Sequence, residues 1–229
     1  MNDDDVLQQA LTWFNDPLNW RGNDGVPALV VEHLGMSLAA VLLAAAVALP
    51  LGVWLGHRGR GGTATVVATN TSRALPTLAL LYIFAMTGLG FGNRPTIVAA
   101  ALFAVPPILS NAFTGVREVD PAARDAARGM GMSGGRSLLA VELPLALPLI
   151  AAGLRTAVVQ VVATVPLAAL VGGGGLGTII IAGFANRRFG EVVAGGVLVA
   201  ALCLLVELVL AVGQRALTPA PMRGRAGAG

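Results

Sequence analysis

The stretch "VDPAARDAARGMGMSGGRSLLAVELPLALP", Val119 to Pro148, decides the fold, because it breaks an otherwise apolar chain with alternating charges, paired alanines and clustered glycines. Of the 229 residues, 55% are hydrophobic and 12% charged, and the mean hydropathy is +0.77. That is more apolar surface than a soluble domain of this length can bury, so the sequence reads as a membrane protein. Aromatic residues make up only 5%. The apolar mass is Ala, Leu, Val and Gly, which favours closely packed helices over barrel strands. The fold class expected is all-α and polytopic.

All fifteen basic residues are Arg. They sit beside apolar runs, as on membrane-flanking loops, so no nucleic-acid partner is expected. Cys203, the single cysteine, lies in an apolar run and offers neither a disulfide framework nor a Cys-based metal site. The acidic triplet near the N-terminus is the reverse of a secretory signal, and no cleaved signal is expected. Five apolar stretches are long enough to cross a bilayer core of ~30 Å. They run at about Leu29–Leu55, Ala64–Leu89, Thr96–Thr114, Leu145–Val171 and Val192–Val212.

Short cytoplasmic loops collect arginine. With the N-terminus outside, Arg58, Arg60, Arg117, Arg124, Arg128, Arg136, Arg215, Arg223 and Arg225 fall inside, against Arg21, Arg94, Arg187 and Arg188 outside. The expected organisation is an extracytoplasmic segment 1–28, a transmembrane domain 29–214 with a cytoplasmic loop 117–144, and a disordered cytoplasmic tail 215–229. The expected location is a prokaryotic cell membrane.

Asp120 followed by Pro121 is a helix start: an N-cap acceptor, then a proline whose missing N–H costs nothing at the first helical position. Ala122 and Ala126, then Ala123 and Ala127, stack at i, i+4 as a small-residue surface open to close approach, while Arg124 and Arg128 share another side. Gly129, Gly131, Gly134 and Gly135 are expected to break the helix before Pro144 and Pro148 mark re-entry into the bilayer. The glycines also spell G-x-G-x-x-G, with no strand before them, and G-x-S-x-G around Ser133, with no sheet and with histidines only at 33 and 57, flanking the first span. "GGGGLG", Gly172 to Gly177, lacks the Lys of a P-loop in a chain without lysine. ATP hydrolysis is therefore not expected here, and no catalytic, metal or cofactor residues are assigned.

The loop resembles that of the permease subunits of binding-protein-dependent ABC importers. Their pattern is Glu-Ala-Ala, three residues, Gly, nine residues, then Ile-x-Leu-Pro. Here Asp125, Ala126, Ala127, Gly131, Val141, Leu143 and Pro144 keep every spacing, with Asp for Glu and Val for Ile. The resemblance implies a type I importer fold like that of methionine permeases. It implies that Asp120, Pro121, Ala122, Ala123, Asp125, Ala126, Ala127, Gly131 and Met132 couple to a separate ATPase dimer carrying ATP and Mg. An extracytoplasmic substrate-binding protein and a second permease subunit are the other implied partners. From Ser72 to Gly177, "SRALPTLALL", "VELPLALPLIAAGLRTAVV" and "LAALVGGGGLG" look like permeases for glycine betaine, carnitine and choline.

The remaining candidates concern the path. Arg73 and Glu207 are ionisable residues in apolar spans, Tyr82 could offer a cation–π face, Pro76 precedes an apolar half-span, and Gly174 and Gly175 could serve a gate or a simple turn. Gly52 and Gly56 have the spacing of helix contacts and leave a subunit contact open. A methionine or other amino-acid permease is an alternative within the family. An ion-coupled secondary transporter, which would use Glu207, and a channel are alternatives outside it.

Overall fold

A computed structural model describes residues 3–62 and 76–217. Arg73 and the "TNTSR" half of the expected second span lie outside the described residues. Four described helices are long and apolar enough to cross a membrane, within Val26–Arg58, Asn93–Arg117, Gly134–Val171 and Phe189–Gln214. They match the expected first, third, fourth and fifth spans and extend them at their ends. Of the second expected span, the described part is a helix, Thr77–Ala85, that begins after Pro76.

In chain order the described helices are α1 (Asp3–Asn15), α2 (Val26–Arg58), α3 (Thr77–Ala85), α4 (Asn93–Arg117), α5 (Pro121–Gly129), α6 (Gly134–Ser137), α7 (Leu143–Thr164), α8 (Gly177–Ala185) and α9 (Phe189–Leu217). A π-helical turn, Leu138–Glu142, joins α6 to α7, and a 3-10 helix, Val165–Val171, follows α7. The π turn has a local cause. Pro144 has no N–H for the carbonyl of Ala140, so the turn widens and Leu143 N–H reaches back to the Leu138 carbonyl instead.

Several expectations need correction. Segment 1–28 contains α1 and a 3-10 turn, Pro17–Trp20, where Asp16 accepts from Leu18 N–H at 2.9 Å. The spanning segment ends at Gln214, the expected boundary, but α9 continues to Leu217, so the first three residues of the expected disordered tail are helical; the rest of that tail lies outside the described residues. His33 and His57 do not flank the first span but lie within α2. α8 was not expected, because nine residues give no spanning signal.

The chain forms two compact units. The first comprises the described parts of Met1–Leu42, Leu75–Phe103 and Val158–Val206. Its core is Val26, Leu29, Val162, Leu176, Ile179 and Leu202, with Leu81, Ala85 and Val171 as a second cluster. Within it α8 and α9 form a hairpin at near backbone contact: a Cβ on Gly195 would stand 2.7 Å from Ile180 Cγ1, and one on Gly183 would stand 2.8 Å from Val192 N.

The second unit comprises the described parts of Leu43–Ala74, Ala104–Ala157 and Glu207–Gly229. Its core is Ala112, Val116, Ala146 and Ile150, flanked by Leu49, Val53, Leu138, Leu143 and Leu154. Gly52 and Gly56 are used here, against α4. A Cβ on Gly52 would lie 2.8 Å from the Leu109 carbonyl oxygen, and one on Gly56 would lie 2.7 Å from that of Phe113. The small-residue spacing thus serves packing within the chain rather than a subunit contact. In lipid such contacts hold by close van der Waals fit, because there is no water to exclude.

Candidate functional site

The quoted stretch folds into a protruding helix on a polar base, all within the second unit. Asp120 caps α5 by accepting from Ala122 N–H at 2.9 Å, and Pro121 occupies its first turn. At the other end, Gly131 turns the chain at φ +76° while its N–H donates to the Arg128 carbonyl, and Met132 N–H donates to that of Ala127. A left-handed residue after the last turn is the usual way to satisfy terminal carbonyls.

The alanine surface divides. Ala122, Asp125 and Ala126 are exposed, Ala123 and Met132 are half-buried, and Ala127 faces inward, fully buried. The free face of α5 is therefore Ala122, Asp125, Ala126 and Gly129, with Met130 70% exposed beside it. The two arginines, a turn apart on one side of α5, send their side chains to different places. Arg128 stays in solvent, 3.5 Å from Asp125, while Arg124 folds in and its guanidinium donates to the Val116 carbonyl in the last turn of α4. A cation there also complements the negative end of the α4 dipole. Gly134 and Gly135 do not break a helix but open α6, capped by Ser133.

Beneath α5 lies a carboxylate absent from the sequence reading. Glu142, in the π turn, is 3% exposed. It accepts from His57 Nδ1 at 2.9 and 3.1 Å and from Ser137 Oγ at 3.3 Å, and the Arg124 guanidinium stands 3.6 Å away. Arg117 Nη1 donates to the Gly59 carbonyl at 2.9 Å, joining the ends of α4 and α2 a second time.

Of the path candidates among the described residues, Glu207 belongs to the second unit and Pro76, Tyr82, Gly174 and Gly175 to the first. Glu207 accepts from Arg155, with Nε at 3.0 Å, and Arg155 Nη1 also donates to Gln214 at 3.1 Å. Glu207 is thus half of an ion pair between α7 and α9. Tyr82 is exposed on α3, and Pro76 is the extended residue that starts that helix.

In the first unit, Gly174 and Gly175 are pinned. Gly174 N–H donates to Asn93 Oδ1 at 2.8 Å, Gly175 N–H to Glu32 Oε2 at 3.0 Å, and Asn93 Nδ2 to Glu32 Oε1 at 2.8 Å. Beside this knot a cleft of about 450 Å³ is lined by Trp13, Arg21, Asp24, Glu32, Gly174 and Glu191, among others. The useful signal would have been Glu32 itself, a carboxylate near the start of an apolar span. Among the described residues, no three His, Cys, Asp or Glu side chains are grouped to hold a metal ion.

Comparison with known proteins bears on this arrangement. Residues 48–221 match the family model described as "Binding-protein-dependent transport system inner membrane component". The glycine betaine/carnitine/choline transport system permease protein OpuCB of Bacillus subtilis (strain 168) is 39% identical over 193 residues, covering 84% of this chain and 88% of that one. The choline transport system permease protein OpuBB of the same organism is 40% identical over 192 residues, with the same coverage of each. The osmoprotectant import permease protein OsmW of Salmonella typhimurium (strain LT2) is 32% identical over 200 residues, 86% of this chain and 93% of that one.

Among solved structures, chains of the inward-facing MetNI methionine ABC transporter superpose with TM-scores of 0.69 and 0.72 at 24% and 22% identity, covering 82% and 90% of this chain and 94% and 100% of theirs. The all-α type I importer fold expected from the sequence is the fold found. The chain is a multi-pass membrane transport component rather than an enzyme, and it belongs to the family of binding-protein-dependent transport system inner membrane components.

Proposed function

We propose that this chain is the permease subunit of an ATP-driven importer for quaternary ammonium osmoprotectants of the glycine betaine, carnitine and choline class. The observation that carries the substrate is the run of relatives at 32–40% identity whose names specify those compounds or osmoprotectants. Our reading of the assembly pairs it with a second permease subunit, an ATPase dimer that holds ATP and Mg, and an extracytoplasmic binding protein. The N-terminus lies outside and the C-terminus in the cytoplasm. ATP-driven closure of the ATPase pushes on α5, whose exposed Ala122, Asp125 and Ala126 suit a close-fitting groove.

The cleft beside Glu32 supports the substrate class. Its lining includes three carboxylates, Asp24, Glu32 and Glu191, against one guanidinium, Arg21, together with Trp13. That balance favours a cationic head over an anion. Conversely, Glu207 is paired with Arg155, so the acid that an ion-coupled carrier would use is already engaged.

The test is uptake of labelled glycine betaine into vesicles holding this chain, its ATPase and its binding protein, with ATP inside and choline, carnitine and methionine as competitors. ATP-dependent uptake blocked by choline or carnitine but not methionine is expected. Uptake without the ATPase overturns the mechanism; competition by methionine alone overturns the substrate.

A further inference from the structure

We infer that Glu142 is the positioning residue through which α5 acts on the membrane helices α2 and α7. The inference rests on reading α5 as the coupling helix, and it assigns a role to a residue outside that motif's fixed positions. Three elements meet at one carboxylate. α5 contributes Arg124 at 3.6 Å, α2 contributes His57 at 2.9 Å, and Glu142 itself belongs to the π turn that leads directly into α7. Arg124 also holds the last turn of α4 through the Val116 carbonyl.

A push on α5 therefore reaches α4 through Arg124, and α2 and α7 through Glu142. The apolar contacts of this unit could slide past one another. Hydrogen bonds to a charged acceptor, buried to 3% exposure, hold direction as well as distance. Glu142 sits in the π turn that leads into α7, so whatever pulls on its carboxylate acts at the root of that helix.

The measurement is the number of glycine betaine molecules taken up per ATP hydrolysed by the assembled transporter in vesicles. Glu142→Gln keeps shape and removes the charge. It is expected to leave ATP hydrolysis running while uptake per ATP falls by about tenfold, the scale of one charge-assisted hydrogen bond. Glu142→Asp should recover part of the ratio. His57→Phe, which keeps a ring but removes the donor, should lower it, and His57→Gln, which restores a donor, should raise it again.

A merely structural role would lower the melting temperature and reduce uptake and hydrolysis in parallel; an unchanged ratio in Glu142→Gln overturns the inference. If Glu142→Gln fails to insert, the His57 pair decides by the same ratio. Gly131→Trp is run alongside. Normal uptake in that variant sinks the coupling reading itself, whereas blocked uptake there with a wild-type ratio in Glu142→Gln sinks only the role of Glu142.

Discussion

Two glycine-rich segments of similar composition, 129–135 and 172–177, use glycine for opposite reasons. In the first, a Cβ added at Gly129, Gly131 or Gly135 would meet nothing within 4 Å among the described residues. Gly131 is there for its backbone angle, φ +76°, and its neighbours for openness. In the second, Gly172 is open and left-handed at φ +72°, but Gly173, Gly174 and Gly177 have no room. A Cβ on Gly174 would overlap the Glu32 carboxylate, one on Gly177 would overlap the Pro166 carbonyl, and one on Gly173 would lie 2.9 Å from Asn93 Oδ1. The first segment leaves its surface open; the second is held by the chain's own carboxylate and amide. A run of glycines is therefore no measure of flexibility until the partners of its N–H groups are known.

The sharpest way to break this contrast is bulk on the open segment. Gly131→Trp should abolish glycine betaine uptake while the protein still inserts, because the side chain projects from the proposed docking face. Gly131→Asn, which tolerates the left-handed angle, should keep most of it, and equal loss in both would mean that backbone strain of about 1–2 kcal/mol, not docking, is responsible. Next in size is Gly174→Ala. One methyl group against Glu32 should displace its carboxylate, cost about 1–3 kcal/mol and lower the melting temperature of the purified chain, and a wild-type melting curve would mean that the knot is loose. Smallest is Asp120→Ala, which removes the cap of α5 and should cost about 1 kcal/mol of local stability, read as faster amide exchange in residues 121–124 with little change elsewhere.

What the sequence made legible was local. Spans follow from runs of apolar residues, and the start of α5 follows from Asp120 and Pro121, because cap, proline and periodicity are set by neighbours within a turn. What stayed hidden was mostly pairing. His57 and Glu142 are 85 residues apart, Glu32 and Gly175 are 143 apart, and no periodicity joins them. The alanine pairs were visible, but which pair faces outward was not, since Ala127 is buried by contacts that only the tertiary fold supplies. Gly52 and Gly56 were recognisable as contact residues, and their partner α4 was not. The motif at 120–132 was thus readable, whereas the carboxylate beneath it was not.

The ion pair between Arg155 and Glu207 has a consequence for biosynthesis. The two residues are 52 positions apart. At roughly 5–20 residues per second, the arginine leaves the ribosome about 3–10 s before its partner exists. A lone arginine within an inserting helix is costly. For those seconds α7 depends on its flanking apolar residues, or on the insertion machinery, to stay in the bilayer. A nascent chain stopped before residue 207 should slip out of the membrane more readily than one stopped just after it.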